Sequence, residues 1–387
     1  MRPSVSPGES MSYAFLIAGL GFGDESKGAT VDALCRALPV DLIVRYNGGC
    51  QAAHHVVLED GRSHCFSQFG AGMLARPNIK TFLSKYMLVE PYSMMNEAEA
   101  LSTMTPDVWG RVAVDKNAVV VTFFHQHLNR LRECARGADR HGSCGRGIGV
   151  AREMHLKHGD KVLLAGDCKN ATTVYEKLMF TMEELEPEIS ELRDKVRSRY
   201  NRLHDLEMVE SSAQKYLEWP ANIVDGFEPQ EMMIFEGAQG VMLDEKYGTA
   251  PHNTWTNTTF ENADAMLDEA GVKERHRIGC IRTYHTRHGQ GPFPTEDANL
   301  DLPELHNGNE GFQGVFRVGH LDLNLAKRAI SVCGGIDTLA ISHMDYLHRL
   351  GWAESDFIAS VSANLRTHIG MLGRGPTAQD RTVSVSA

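Results

Sequence analysis

An apolar run, Tyr13–Gly19, leads into three closely spaced glycines, Gly19, Gly21 and Gly23, and then directly into an apolar-periodic stretch from Lys27 to Ala37. A short buried strand, a glycine-rich turn and a helix in that order leave little choice of architecture. A strand without polar alternation is buried on both faces, the usual condition of a parallel sheet, and parallel neighbours need crossover connections. Residues 41–46, 112–124, 162–164, 232–235 and 338–342 read as further buried strands, with helices such as 326–333 between them. The fold class expected is therefore α/β, with a mainly parallel central sheet, flanking helices and helical or loop excursions. Residues 175–219 carry charges at helical spacing with Leu and Met on one side, which predicts one or two surface helices. No repeat, low-complexity run or Pro- and Ser-rich linker divides the chain. Residues 12–387 are expected to form a single catalytic domain behind a flexible tail at 1–11, which lacks a leader pattern.

Composition narrows the partners. Fifty acidic against 39 basic residues leave a net charge of −11, a field that repels phosphate backbones and argues against nucleic acid as a partner. Any anionic ligand must then be held by a local site. The apolar runs at 13–20 and 118–124 fall well short of the roughly 20 residues a bilayer crossing needs, so no membrane partner is expected and the cytoplasm is the default compartment. Eight cysteines, no two of them spaced as Cys-x-x-Cys, exclude zinc-ribbon and thioredoxin-like readings and suit free, mostly buried thiols.

The turn Gly19-Leu20-Gly21-Phe22-Gly23-Asp24-Glu25-Ser26-Lys27-Gly28 fits neither of two common phosphate loops. A dinucleotide fingerprint would need glycine where Asp24 stands. A Walker loop needs its lysine after the second glycine, whereas Lys27 precedes Gly28 and no hydroxyl residue follows. The physics of the cradle survives, because amides at a glycine-rich turn and a helix N-terminus bind phosphate and Lys27 adds a point charge. A carboxylate in that ring makes sense if it holds Mg²⁺ or removes a proton; the plainer reading is that Asp24 caps the helix.

Residues 23–28 resemble the Gly-Asp-Glu-Gly-Lys-Gly stretch of the adenylosuccinate synthetase family, and other segments agree in the same order. Arg45-Tyr46-Asn47-Gly48-Gly49 with His54, Gly145-Arg146-Gly147-Ile148-Gly149, and Phe235-Glu236-Gly237-Ala238-Gln239-Gly240 are similar to its shared blocks. So are Leu243-Asp244, Thr254, Asn257-Thr258-Thr259, Thr286-Arg287, Gly291-Pro292-Phe293-Pro294-Thr295-Glu296, Leu321-Asp322-Leu323 and Asp345. The resemblance spans residues 13–382 and implies a P-loop-NTPase-like fold. That family joins L-aspartate to IMP at the expense of GTP, through an intermediate phosphorylated on the purine 6-oxygen. Mg²⁺, GTP as co-substrate, and a homodimer in which one subunit completes its neighbour's site are implied with it.

Carried over by motif, Asp24 is the base for the purine N1 proton and a Mg²⁺ ligand, with the Ala53 carbonyl as a second ligand. His54 donates to the phosphate bridge, and Gln239 holds the purine near its 6-position. The bland readings are a core histidine and a structural amide. Gly23, Glu25, Ser26, Lys27 and Gly28 form the phosphate cradle, a positioning and electrostatic role. Asp345 accepts from the guanine N1 and N2 groups, beside His343, which stands where the family has lysine, and Gly375 and Pro376. Gln51, Ser143, Cys144, Thr254 and Arg317 match the acceptor and amino-acid side.

The departures cluster on that last side. The family's Asn-Ala-Gly-His reads Gln51-Ala52-Ala53-His54, and its hydroxyl pair before Gly-Arg-Gly-Ile-Gly reads Ser143-Cys144, a thiol being a weak donor. Three residues are inserted after Pro376. The arginine-rich aspartate loop shrinks to Phe312-Gln313-Gly314-Val315-Phe316-Arg317, leaving one arginine for a carboxylate. The acceptor is accordingly IMP or a 2-amino-6-oxopurine nucleotide such as dGMP, and the amine aspartate or another. The alternative from a different class is a non-catalytic purine-nucleotide sensor, which would have no need of base and acid together.

Overall fold

The computed structural model describes residues 12–196, 206–303 and 312–385; the tail expected at 1–11 lies outside them. The strands are β1 (Tyr13–Gly19), β2 (Leu42–Arg45), β3 (His54–Val57), β4 (Ser63–Phe66), β5 (Lys80–Leu83), β6 (Leu88–Val89), β7 (Val112–Asp115) and β8 (Val119–Val120). They continue as β9 (Asn222–Val224), β10 (Met232–Gly240), β11 (Glu274–Arg282), β12 (Tyr284–His288), β13 (Phe316–His320), β14 (Thr338–Ser342), β15 (His368–Gly373) and β16 (Arg381–Val383). The helices are α1 (Lys27–Ala37), α2 (Pro91–Ser102), α3 (Phe123–Arg136), α4 (Ile148–His158), α5 (Ala171–Lys195), α6 (Leu206–Leu217), α7 (Glu261–Glu269), α8 (Leu323–Val332) and α9 (Glu354–Leu365).

A ten-stranded sheet runs in the order β16-β15-β14-β11-β1-β10-β2-β5-β7-β9, parallel at every pairing except β15 with β16. β1 shows why: Phe15 and Ile17 point into one apolar core and Ala14, Leu16 and Ala18 into the other, all essentially unexposed. Two-sided burial of this kind is worth about 1.5–3 kcal/mol per large apolar side chain and fixes the register. The antiparallel pairs β3–β4 and β12–β13 lie outside that sheet.

Three expectations change in detail. Residues 112–124 divide into β7, β8 and the start of α3, because Thr122 and His125 cap that helix reciprocally, with the Thr122 N–H donating to His125 Nδ1 at 3.0 Å. Residues 162–164 contribute only an isolated bridge from Leu164 to Val119; Val162 and Leu163 are apolar because they are core, not because they form a strand. The helices expected within 175–219 are α5 and α6, but α5 buries Val174, Leu178, Leu185 and Ile189 and packs on α3 and α6 as half-core elements do. No described helix is long and apolar enough to cross a membrane.

Candidate active site

The carboxyl ends of β1, β10, β11 and β14 meet around the glycine turn, the place where open α/β sheets take ligands. A Cβ on Gly240, which ends β10, would lie 2.2 Å from the Gly21 carbonyl oxygen and 2.4 Å from the Gly23 nitrogen, so hydrogen alone fits there. Within the turn, the Gly21 and Gly23 amides donate to Glu25 Oε1 at 3.1 and 2.7 Å, and Lys27 Nζ donates to Glu25 Oε2 at 2.8 Å. The cradle expected for phosphate thus closes on a carboxylate of the chain itself, and its donors are shown to converge on an anion.

Asp24 does not cap α1. The N-cap is Ser26, without a side-chain cap bond, and Asp24 takes a left-handed backbone at φ 62°. Its Oδ2 lies 3.3 Å from His288 Nε2, and Arg282 donates to its main-chain carbonyl. Burial would raise the Asp24 carboxyl, but His288, Arg282 and Lys27 together hold it down at about 2. Ionised and partly open to solvent, it is able to take a proton or ligate a cation.

His54 opens β3 against α1: a Cβ on Gly28 would come within 2.6 Å of His54 Cβ. Its Nδ1 is 2.5 Å from Glu236 Oε1. Burial pushes the imidazole below its ordinary value, with Glu236 opposing and Arg45 and Lys27 adding to the shift. Burial acts to raise the Glu236 carboxyl, yet Arg45, His54 and the Ala71 amide outweigh it and keep Glu236 ionised. Asp24 precedes α1 and His54 packs on Gly28 at its start, so carboxylate and imidazole flank the N-terminus of one helix.

Gln239, also left-handed at φ 63°, accepts from Thr256 Oγ1 at 3.5 Å, and Thr256 meets Thr254 Oγ1 at 3.4 Å, which joins two of the matched residues. Asn47 ties the other side in by accepting from the Ala238 amide at 2.7 Å. Gln51 Oε1 is buried with no hydrogen-bond partner among the described residues, an acceptor left over for a ligand donor.

On the β14 side, His343 follows the strand end with its ring held well below the ordinary value by burial, then by Arg282 and Arg381. Arg381 also acts on Asp345, whose side chain is exposed. The three residues inserted after Pro376 form a turn closed by Asp380, whose Oδ2 accepts from the Thr377 amide and hydroxyl at 2.9 and 2.7 Å. Gly375 lies against that carboxylate, where a Cβ would come within 2.7 Å of it.

The remaining side is differently disposed. Ser143 Oγ accepts from Asn129 Nδ2 at 2.8 Å, and Asn129 Oδ1 takes the Gly147 amide at 3.1 Å. Burial pushes the neighbouring Cys144 thiol up, although Arg146 draws it back. The Phe312 ring would lie 2.6 Å from a Cβ on Gly145, so the shortened loop rests on this turn.

Arg317 is engaged beside its own hairpin. It donates to Glu296 Oε2 at 2.7 Å and to the Gly291 carbonyl at 2.9 Å. It pairs with Arg287 across β12–β13, whereas the next register pair, His288 with Phe316, points to the opposite face and carries the contact to Asp24. The sequence reading passed over Glu236, His288 and Arg282. Glu236 lay inside a matched block, but only strand pairing shows that it meets His54.

Among the described residues no group of three or more His, Cys, Asp or Glu side chains gathers around a metal position. One ionised carboxylate beside a phosphate cradle nevertheless suits Mg²⁺, which keeps water and substrate phosphate as most of its ligands.

A parallel sheet whose strand ends hold an amide-and-lysine anion cradle, an ionised carboxylate and an imidazole defines an α/β enzyme that handles the phosphate of a nucleotide. The sequence pattern of the adenylosuccinate synthetase family matches residues 16–352, and the chain belongs to that family, whose members are ligases. It is 30% identical over 353 residues to the adenylosuccinate synthetase of Thermoplasma volcanium, covering 89% of this chain and 78% of the relative. With that of Shewanella piezotolerans it shares 30% over 357 residues, 88% and 79% of the two chains. The fully ligated Plasmodium falciparum adenylosuccinate synthetase superposes with a TM-score of 0.75 at 18% identity, over 96% of this chain and 99% of the other. Cyanophage S-2L succinoaminodeoxyadenylate synthetase (PurZ), bound to dGMP and to dATP as an energy donor, gives 0.66 at 20% identity, over 97% and 96%. These two likenesses are of fold.

Proposed function

We propose that this ligase transfers the γ-phosphoryl group of GTP to the 6-oxygen of IMP and displaces it with the amine of L-aspartate, giving adenylosuccinate, GDP and phosphate. The observation that carries the reading is that the cradle, Asp24 and His54 meet at the N-terminus of α1, where Lys27 holds Glu25 and Gly28 packs against His54. Asp24 takes the N1 proton as the 6-oxygen attacks, and His54 gives a proton to the departing oxygen. Lys27 and the Gly21 and Gly23 amides, now on Glu25, take the γ-phosphate once that carboxylate turns away. Gln239 and the unpartnered Gln51 amide meet the purine, and Asp345 with Gly375 and Pro376 meets the guanine. Asp24 and the Ala53 carbonyl would hold Mg²⁺, which when bound neutralises charge on the transferring phosphate. Arg317 is left out, because its guanidinium is engaged on the other face of its hairpin. A homodimer belongs to the reading, and light scattering tests it. A sensor is disfavoured, since it would gain nothing from a base and an acid at one phosphate cradle.

The test is phosphate release from GTP or ATP with IMP, GMP or dGMP and each amino acid in turn. Release strictly dependent on IMP and aspartate is expected. Turnover only with dGMP would move the acceptor to a 2-amino-6-oxopurine, and no turnover with any pair would favour the sensor.

A further inference from the structure

Glu236 has no part in the roles above, yet it is unexposed and both its oxygens are engaged. Oε1 meets His54 Nδ1 at 2.5 Å, and Oε2 accepts from the Ala71 amide at 3.0 Å. Strand pairing puts it there: Glu236 on β10 is in register with Arg45 on β2, so two charged side chains leave neighbouring strands on one face. Arg45, equally unexposed, donates from Nη1 to the carbonyls of Ser67 and Phe69 at 3.2 and 3.0 Å. The chain that follows β4 is thus pinned at Ser67 and Phe69 by Arg45 and at Ala71 by Glu236, while the hairpin before it carries His54. From the other side Gly28 packs on the His54 backbone and Cβ with no room for a Cβ of its own, so the residue is set between the cradle helix and the buried carboxylate.

Buried ion pairs add little net stability compared with packed apolar side chains. A carboxylate on the far nitrogen of a working imidazole sets its tautomer and orientation. We propose that Glu236, backed by Arg45, is the positioning residue of His54: it accepts Nδ1–H and thereby presents Nε2, in one ring orientation, to the phosphate cradle. This rests on the reading of His54 as the proton donor. In the first chemical step the bond from the γ-phosphorus to the bridging oxygen breaks and a bond to the purine 6-oxygen forms. The N1 proton passes to Asp24, and His54, doubly protonated at that moment with Nδ1–H still on Glu236, gives the proton on Nε2 to the departing GDP oxygen and is left as the Nδ1–H tautomer.

The isosteric variant Glu236→Gln tests it, because one amide oxygen cannot accept from both His54 Nδ1–H and the Ala71 amide. Turnover should fall on the order of 10²-fold or more while KM for GTP and for the nucleotide stays within about threefold. In ¹⁵N spectra, with the His54 signals assigned by His54→Asn, the wild type should keep a proton on Nδ1 in both the neutral and the protonated ring, whereas neutral Glu236→Gln should show a mixture of tautomers. A kcat within about threefold of wild type, or KM values that rise together with a lowered melting temperature, would overturn the positioning role. Should Glu236→Gln fail to fold, an Nε2–H tautomer in the wild type would overturn it equally. Loss of turnover in His54→Asn with normal turnover in Glu236→Gln removes the positioning role alone, whereas normal turnover in His54→Asn removes the reading of His54 itself.

Discussion

The two halves of the cleft are built on different plans. Around the phosphate cradle, Glu25, Lys27 and His54 are nearly unexposed and each is held by a named partner, with Glu236 and Arg45 fixed behind them. Around the acceptor and amino-acid side, Ser143 already serves Asn129, Cys144 offers a weak donor, and Arg317 is committed to Glu296. The half proposed to handle phosphate is held in place before any ligand arrives, and only Glu25 has to turn away to free its donors. The half proposed to meet the nucleotide and the amine carries the residues that depart from the family motifs, Gln51, Cys144 and the segment before Arg317. Reaction type therefore follows from the first half, and substrate identity has to be sought in the second.

The sharpest way to break that division is Asp24→Asn, which keeps shape and removes the base. Phosphate release should fall by roughly 10³-fold or more, with the fold intact by circular dichroism. Near-normal release would strip Asp24 of the role and empty the preassembled half of its chemistry. A pH consequence accompanies this. The folded carboxyl sits at about 2, below its ordinary 3.8, so its contribution to stability is fully present above about pH 4 and is lost as the pH falls toward 2. The stability gap between wild type and Asp24→Asn should stay constant at neutral pH and close only in that acid window, as thermal melts across pH would show.

Gly28→Ala probes how tightly the cradle and the imidazole are coupled. A Cβ there lies 2.6 Å from His54 Cβ and 3.0 Å from its backbone, so helix or strand must move. Overpacking of this kind costs about 1–3 kcal/mol, and a displacement of a few tenths of an ångström should lower kcat some 10- to 100-fold. Calorimetry and steady-state kinetics on one sample check both. Full activity would show that the two elements are not held against each other.

The parallel sheet was legible because β1 is apolar on both faces and runs into glycines, two local signals that agree. The cradle was legible because Gly21, Gly23, Asp24 and Lys27 lie within a few residues of one another. What could not be read depends on pairing between distant segments. Glu236 meets His54 across 182 positions of sequence, through the register of β10 on β2, and His288 meets Asp24 only once β12 folds over the turn. Arg317 depends on pairing in the same way. Its residue type suits a carboxylate ligand, but hairpin parity and Glu296, invisible in a linear motif, decide which way it points.

A smaller effect, on the recognition half, should come from Cys144→Thr, which returns a hydroxyl donor to the turn before Gly145. One added hydrogen bond is worth about 0.5–1.5 kcal/mol, so KM for the acceptor nucleotide should fall roughly 2- to 10-fold with kcat little changed. An unchanged KM would mean that this turn does not touch the nucleotide in this chain, and the division would then have to be drawn closer to Gln51 and Thr254.

Arg317→Ala should do least to catalysis, and for that reason it tests the placement of the amino-acid site most directly. The ion pair with Glu296 is only partly shielded, with side-chain exposures of 18% and 41%. Its loss, together with the bond to the Gly291 carbonyl, should cost about 1 kcal/mol of stability. If the guanidinium stays on that face when substrates bind, KM for the amino acid changes by no more than about twofold. A rise of tenfold or more, confined to the amino acid, would show that Arg317 leaves Glu296 to take a substrate carboxylate, as recognition by a single bidentate arginine would demand. The hairpin would then belong with the parts that rearrange on binding, and the contrast between a preassembled half and an adaptable one would gain a moving element.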